Sequence, residues 1–270
     1  YTESGRTSPT YALRANSIPV NAFCVKADFA ESSGTHNTGM AKVINSLLIE
    51  MGLTTPPQKT NKEVRTTVDG YPIAIFHRET ASDTLEFVGK YNFNNDKSTA
   101  DTFGFSEGDE SWEFSNNTSD RCLFKSADFS GTDWTNDFES RYPDDDAINA
   151  EYEAGTRKPE KLMAVTSWVV STKDNLDKFK NEVRNHFNLD NLIAYYLITE
   201  LFGMVDQRAK NMFLTYFHEE GKWIFIFYDN DTCFGLNNEG LIAFGYNIEY
   251  HDKIGTLNVW NGESSVLWNN

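Results

Sequence analysis

The chain has 270 residues, of which 39% are hydrophobic and 14% aromatic, enough for the core of one large domain or two small ones. Forty acidic residues against 24 basic ones give a formal net charge of −16, which argues against general binding of nucleic acid or of anionic membranes. No stretch approaches the ~18 apolar residues of a membrane span, and the chain opens without Met or a signal sequence, so we expect a fragment or processed form without a span.

The first half of the chain carries the patterns of β-strands around one helix. Strands are predicted at residues 21–29, 83–96 and 121–129. Apolar residues at helical spacing predict a helix that begins at Asn37-Thr38 and ends at Gly52. Residues 64–79 predict a β-hairpin that turns at Asp69-Gly70, and residues 96–120, rich in Ser, Asp, Asn and Gly, predict a loop.

The second half is predicted to be mainly helical from Trp134 onwards. One helix starts at Pro159, and residues 176–187 predict a second, amphipathic one. Residues 189–203 are apolar nearly all round, so we expect this helix to be buried on every side. Two strands joined through "HEEGK" follow directly.

This order of elements predicts an α+β fold with two lobes that share a cleft. We expect a strand-rich N-terminal lobe at residues 1–130 and a helical C-terminal lobe at residues 131–270, which carries the late hairpin.

The stretch "VDQRAKNMFLTYFHEEGKWIFIFYDND" holds the strongest candidate for chemistry. Asp206 and Asn211 have the spacing of the base Asp and the metal-binding Asn in the protein-kinase catalytic loop. A hairpin then leads to Asp229 and Asp231, either of which would hold magnesium. Phosphoryl transfer needs a carboxylate that orients the attacking hydroxyl and hard oxygen ligands for Mg²⁺. The alternative is a solvated polar rim at the ends of the strands.

These residues resemble the CotH kinase family, named for a spore-coat protein. The family has a D-x₄-N strand and then a Trp-containing strand that runs into "D-x-D" and Gly. Here the matching positions are Asp206, Asn211, Phe213, Trp223, Asp229, Asp231 and Gly235. Upstream, "VKADFAESSGTHNTGMAKVI" and "VDGYPIAIFHRET" look like the family's first strand, helix and hairpin, although the hairpin's second Gly is missing. The resemblance covers roughly residues 20–240.

The resemblance implies an atypical protein-kinase fold that uses ATP and Mg²⁺. It makes Asp206 the catalytic carboxylate and Asp229 the main metal ligand, with Asp231 as a possible substitute. The family's basic, Gly-containing segment before the first matched strand has no clear counterpart, so the phosphate-binding lysine is unassigned. Lys26 is the nearest candidate, and Glu79 would partner a cation or the nucleotide. The alternatives are a strand-edge lysine and a solvated strand end.

Two functions are compatible with these residues. The first is a CotH-like kinase that transfers the γ-phosphoryl group of ATP to a Ser/Thr hydroxyl of a protein substrate. The second is a non-catalytic virion or cell-surface protein that keeps the kinase-like fold and binds a receptor or a structural assembly partner. The acidic composition, rich in Asn and aromatic residues, suits an extracellular location on a spore, cell or virion surface.

Overall fold

A computed structural model of the chain describes residues 10–15, 17–28, 30, 31, 33–242, 262 and 264–270. Within them the fold is mixed α/β, and the strands form two antiparallel sheets. One sheet has the order β1–β3–β2, with β1 (Phe23–Lys26), β2 (Gly70–His77) and β3 (Glu86–Asn95). The other has the order β5–β4–β6–β7, with β4 (Glu110–Phe114), β5 (Phe138–Tyr142), β6 (Met212–Phe217) and β7 (Lys222–Phe227).

The described residues form seven α-helices, which are α1 (His36–Glu50), α2 (Pro56–Thr60), α3 (Ala100–Phe103), α4 (Asp146–Glu153), α5 (Glu160–Ser171), α6 (Leu176–His186) and α7 (Leu189–Leu201). Among them, α1, α5, α6 and α7 confirm the periodic segments of the sequence. Asn188 caps α7, because its side-chain oxygen accepts a hydrogen bond from the backbone nitrogen of Asn191 at 3.1 Å. Among the described helices, none combines the length and apolar character needed to cross a bilayer.

The sheet that contains β6 and β7 is buried on both faces. One face packs Leu214 and Phe225 into the main core, together with α1 residues such as Ile44. The opposite face packs Phe213 and Ile226 into a second apolar cluster. Because both faces are covered, these strands read as nearly continuous apolar runs rather than as an alternating pattern.

The predicted turn at Asp69-Gly70 is wrong. Gly70 begins β2, and β2 pairs with β3. Glycine is needed here for close packing, since a Cβ on Gly70 would lie 2.0 Å from Oδ1 of Asn94. Asp69 is buried and accepts a hydrogen bond from the guanidinium group of Arg14 at 2.6 Å.

Three further predictions fail in the middle of the chain. Residues 96–120 are not only a loop, because they contain α3 and β4. Residues 121–129 form turns instead of a strand, and Phe124 has a left-handed φ of 52° that a strand does not allow. After Trp134 the chain forms β5 before its helices begin.

Helix α7 is buried on one face only, which corrects the expectation of burial all round. Tyr195 and Ile198 are buried in the main core, whereas Leu197 is 55% exposed and Leu201 is also exposed. Uniform apolar character gives no helical face a preference in the sequence, so only the packing decides which side is covered.

The pairing of β4 crosses the predicted boundary between the lobes at residue 130. β4 precedes residue 130 but pairs with β5 and β6, which follow it. The division into 1–130 and 131–270 stays a prediction, and its parts at residues 1–9 and 243–261 lie outside the described residues.

We predict that Ile198→Ala lowers the free energy of unfolding by about 2–4 kcal/mol, because it leaves a cavity in the main core. Leu197→Ala, one position earlier on the exposed face, should change it by less than about 1 kcal/mol. Urea denaturation of both variants measures the difference. Equal destabilisation would contradict the orientation of α7.

Candidate functional site

The loop after α7 brings Asp206 and Asn211 into direct contact. The side-chain nitrogen of Asn211 donates to Oδ2 of Asp206 at 2.8 Å, and both residues are buried. Asn211 has a left-handed φ of 54°, a conformation that Asn tolerates better than most residues. Its backbone nitrogen donates to the carbonyl oxygen of Phe114 at 3.1 Å, which anchors the loop to β4.

Gln207, which no pattern in the sequence indicated, ties this loop to the acidic segment after β7. Its side-chain nitrogen donates to the carbonyl oxygens of Tyr228 and Asp229 at 2.8 and 2.9 Å. The hydroxyl of Tyr195 on α7 donates to the carbonyl oxygen of Gln207 at 2.6 Å. The loop and the acidic segment are therefore held together by buried hydrogen bonds.

Asp229 lies at the centre of a second set of contacts. The ammonium group of Lys26 on β1 forms an ion pair with the Asp229 carboxylate. The side-chain nitrogen of Asn37 on α1 donates to Oδ1 of Asp229 at 2.9 Å, and Asn37 Oδ1 accepts from the backbone nitrogen of Asn230 at 3.1 Å. Asn37 was predicted only as a helix cap, but α1 begins at His36 after Thr35, so its side chain is available for this contact.

Glu79 is not brought to these contacts. It is exposed in the turn between β2 and β3, beyond the end of β2 at His77. Lys26 pairs with Asn92 on β3, and Asn92 lies opposite the start of β2, whereas Glu79 follows the end of that strand. Lys26, by contrast, contacts Asp229 directly.

The environment of Asp206 raises the pKa of its carboxyl group. Burial raises its pKa to about 6, and the nearby charge of Asp229 adds to this rise. The ammonium group of Lys210, 4.0 Å away, and a hydrogen bond from Asn238 act in the opposite direction. Such a pKa lies close to neutral pH, where a general base works best.

Asp231 belongs to the same electrostatic cluster. Burial raises its pKa to about 7, and the carboxylates of Asp229, Asp28 and Asp206 add to the rise against the opposing charge of Lys26. Burial alone lowers the pKa of Lys26, but the surrounding carboxylates outweigh it and raise the pKa. The other three carboxylates are therefore all close enough to repel that of Asp231.

A cavity of about 260 Å³ adjoins Lys26. Its lining residues come from β1, α1, β3, the segment before β2 and the segments after β3 and β7, and they are Cys24, Val25, Lys26, Asn37, Val68, Asn94, Asn95, Asp96, Lys97 and Tyr228. The ammonium groups of Lys26 and Lys97 lie 5.6 and 5.0 Å from the centroid of the Tyr228 ring. The side-chain carbonyl oxygens of Asn94 and Asn95 are buried without a hydrogen-bond partner in the described part of the chain.

The carboxylate oxygens of this region are of the hard type that magnesium prefers. Oδ1 of Asp206 and Oδ1 of Asp28 are buried and have no hydrogen-bond partner among the described residues. Over those same residues, no group of three or more His, Cys, Asp or Glu side chains is arranged to hold a metal by itself. Magnesium at nucleotide sites commonly has only one or two protein carboxylates, and phosphates and water complete its shell.

Comparison with known proteins identifies one family. The sequence model described as CotH kinase protein matches residues 91–269, well over half of the chain. The match includes Asp206, Asn211, Asp229 and Asp231, whereas Lys26 lies before it. No curated protein matches the chain.

We predict that the raised pKa of Asp206 makes the fold less stable as pH rises. The carboxyl has an ordinary pKa of 3.8 and about 6 when folded, so the folded state holds its proton more tightly between these values. The corresponding stability is present below about pH 4 and is lost by about pH 6, and it is on the order of 3 kcal/mol.

Asp206→Asn cannot ionise, so its free energy of unfolding should fall less than that of the wild type between pH 4 and pH 7. Urea denaturation at the two pH values measures this difference. The control is Asp190→Asn on the exposed side of α7, which should keep the wild-type pH dependence. Parallel curves for the wild type and Asp206→Asn would contradict the assignment.

Proposed function

Because this chain belongs to the CotH kinase family, we propose that it is a protein kinase that transfers the γ-phosphoryl group of ATP to a Ser/Thr hydroxyl. The observation that carries the proposal is that two sets of contacts lie next to each other. Lys26 and Asn37 contact Asp229, while Asp206 contacts Asn211, and Gln207 ties the two sets together. In this proposal the two sheets belong to two lobes of a kinase-like fold.

Asp206 is proposed to orient the acceptor hydroxyl and take its proton. Its Oδ2 accepts from Asn211, while its Oδ1 has no partner among the described residues and remains able to accept another hydrogen bond. A pKa of about 6 leaves the carboxylate mostly ionised at neutral pH but basic enough to accept a proton.

The remaining polar groups are proposed to hold the nucleotide. When bound, ATP·Mg²⁺ supplies the phosphoryl group and positive charge that offsets the carboxylates. Asp229, Asp231 and Asn211 supply hard oxygens on the side of the phosphates, and Lys26 supplies an ammonium group there. The cavity of about 260 Å³ beside Lys26, which the Tyr228 ring lines, is called the cavity above Tyr228. It is proposed to bind the adenine base of ATP, since it adjoins Lys26 and offers buried side-chain amides.

The negative charge of the protein makes a metal ion more important for nucleotide binding. Because the net charge is −16 and four carboxylates lie at the site, free nucleotide phosphates meet a repulsive field there. We expect ATP to bind only together with Mg²⁺. Location on a spore, cell or virion surface belongs to the same proposal and rests on the acidic composition.

Isothermal titration calorimetry tests the nucleotide site. The wild type should bind ATP in the presence of Mg²⁺, and Asp229→Ala should bind at least about tenfold more weakly, because it removes a metal ligand and the partner of Lys26. Glu79→Ala is the matched control, since it removes an exposed carboxylate and should bind as the wild type does. A wild type that does not bind millimolar ATP with Mg²⁺ would favour a non-catalytic surface or virion protein.

Labelled ATP tests the role of Asp206 in transfer. We predict that Asp206→Asn reduces phosphoryl transfer to itself or to an added protein by at least about 100-fold, because an amide does not accept the proton. ATP binding should be largely retained, since the amide keeps the size of the side chain. Asp190→Asn should transfer at the wild-type rate, and equal incorporation by Asp206→Asn would refute the role.

A further inference from the structure

A basic groove of about 670 Å³ lies between α1 and the segment that precedes β2. It shares no lining residue with the cavity above Tyr228. The charged residues of its lining are Arg14, Lys42, Lys62, Glu63 and Arg65. Four basic residues and one acidic residue thus meet in a chain whose net charge is −16.

Two guanidinium groups beside the groove share one carboxylate. Oδ2 of the buried Asp69 lies 2.6 Å from Arg14 and 3.5 Å from Nε of Arg65. Arg65 is itself buried, and its guanidinium group also donates to the backbone carbonyl oxygens of Lys62 and Glu63 at 3.1 and 2.8 Å. Burial lowers the pKa of Arg65, the neighbouring charge of Arg14 lowers it further, and Asp69 compensates only in part. An additional anion would therefore be stabilised here.

The rim of the groove offers more donors. Lys42 and Lys62 are exposed and have no ion-pair partner among the described residues. The side-chain oxygen of Asn45 accepts from the backbone nitrogen and hydroxyl of Thr66, which leaves its amide nitrogen as a donor. Four cations face only two carboxylates, those of Asp69 and Glu63, so two positive charges are in excess.

We propose that this groove binds a phosphorylated serine or threonine within a peptide. A phosphoryl group carries a charge of about −1.5 to −2, which matches the excess, and its oxygens accept charge-assisted hydrogen bonds from ammonium and guanidinium groups. The volume lies in the ~300–1,000 Å³ range of ligand sites and far exceeds one phosphate group. Ile49 and Ala15 add apolar contacts for residues that flank the phosphoryl group.

Helix α1 links this groove to the candidate active site. Asn37 at its start contacts Asp229, while Lys42, Asn45 and Ile49 further along it line the groove. The proposed binding does not rest on kinase activity, so it stands or falls by its own measurement.

Fluorescence anisotropy with a labelled peptide library, degenerate around one phosphoserine, tests the proposal. The full chain should bind this library and not the matched serine library. Lys42→Glu combined with Lys62→Glu should weaken binding by roughly tenfold or more, since the two changes together replace two cations beside the ligand with two anions. Lys180→Glu, an exposed lysine on α6, is the control and should bind as the wild type does.

Glu63→Gln provides a test in the opposite direction. It removes the acidic side chain of the lining and should tighten binding severalfold, an effect that damage to the fold would not produce. Equal binding by the Lys42→Glu, Lys62→Glu double variant and the wild type would overturn the proposal. So would failure of the wild type to bind the phosphoserine library, or displacement of that library by inorganic phosphate at concentrations close to the peptide's own.

Discussion

The balance between a few ammonium groups and several partly buried carboxylates is the constraint on which the site depends. Lys26 pairs with Asp229. Burial raises the pKa values of Asp28, Asp206 and Asp231, and the charge of Asp229 adds to each rise. Partly buried carboxylates that repel one another cost stability unless protons or cations offset them. Such a cluster next to a cavity carries excess negative charge. A ligand that binds together with a cation would offset this charge.

Uncharged side chains and apolar packing hold this cluster in position. Gln207 binds the carbonyl oxygens beside Asp229, and Asn37 bridges α1 to the same segment. Beneath them, β6 and β7 are packed on both faces, so the two ends of the late hairpin are set by a rigid sheet. A parallel bridge between Thr67 and Phe227 also joins the segment before β2 to the end of β7. The acids are therefore held in position by neutral amides and apolar packing.

Local patterns in the sequence predicted much of this and failed where distant packing decides. Helical periodicity located α1, α5 and α6, and the five-residue spacing singled out Asp206 and Asn211, which the structure brings into contact. Asn37 and Gln207 were missed as site residues, because their partners near Asp229 are set by the tertiary fold. The Asp69-Gly70 dipeptide has the composition of a turn, yet buried contacts with Arg14 and Asn94 place it at the start of a strand.

Binding of a metal ion together with a nucleotide is the central claim. The most direct measurement is a crystal structure with Mn²⁺ and a non-hydrolysable ATP analogue, in which anomalous scattering locates the metal. We expect a metal bound by a carboxylate oxygen of Asp229, phosphates beside Lys26 and the base in the cavity above Tyr228. A nucleotide bound elsewhere, or no metal near Asp229 at saturating concentrations of both ligands, would contradict the claim.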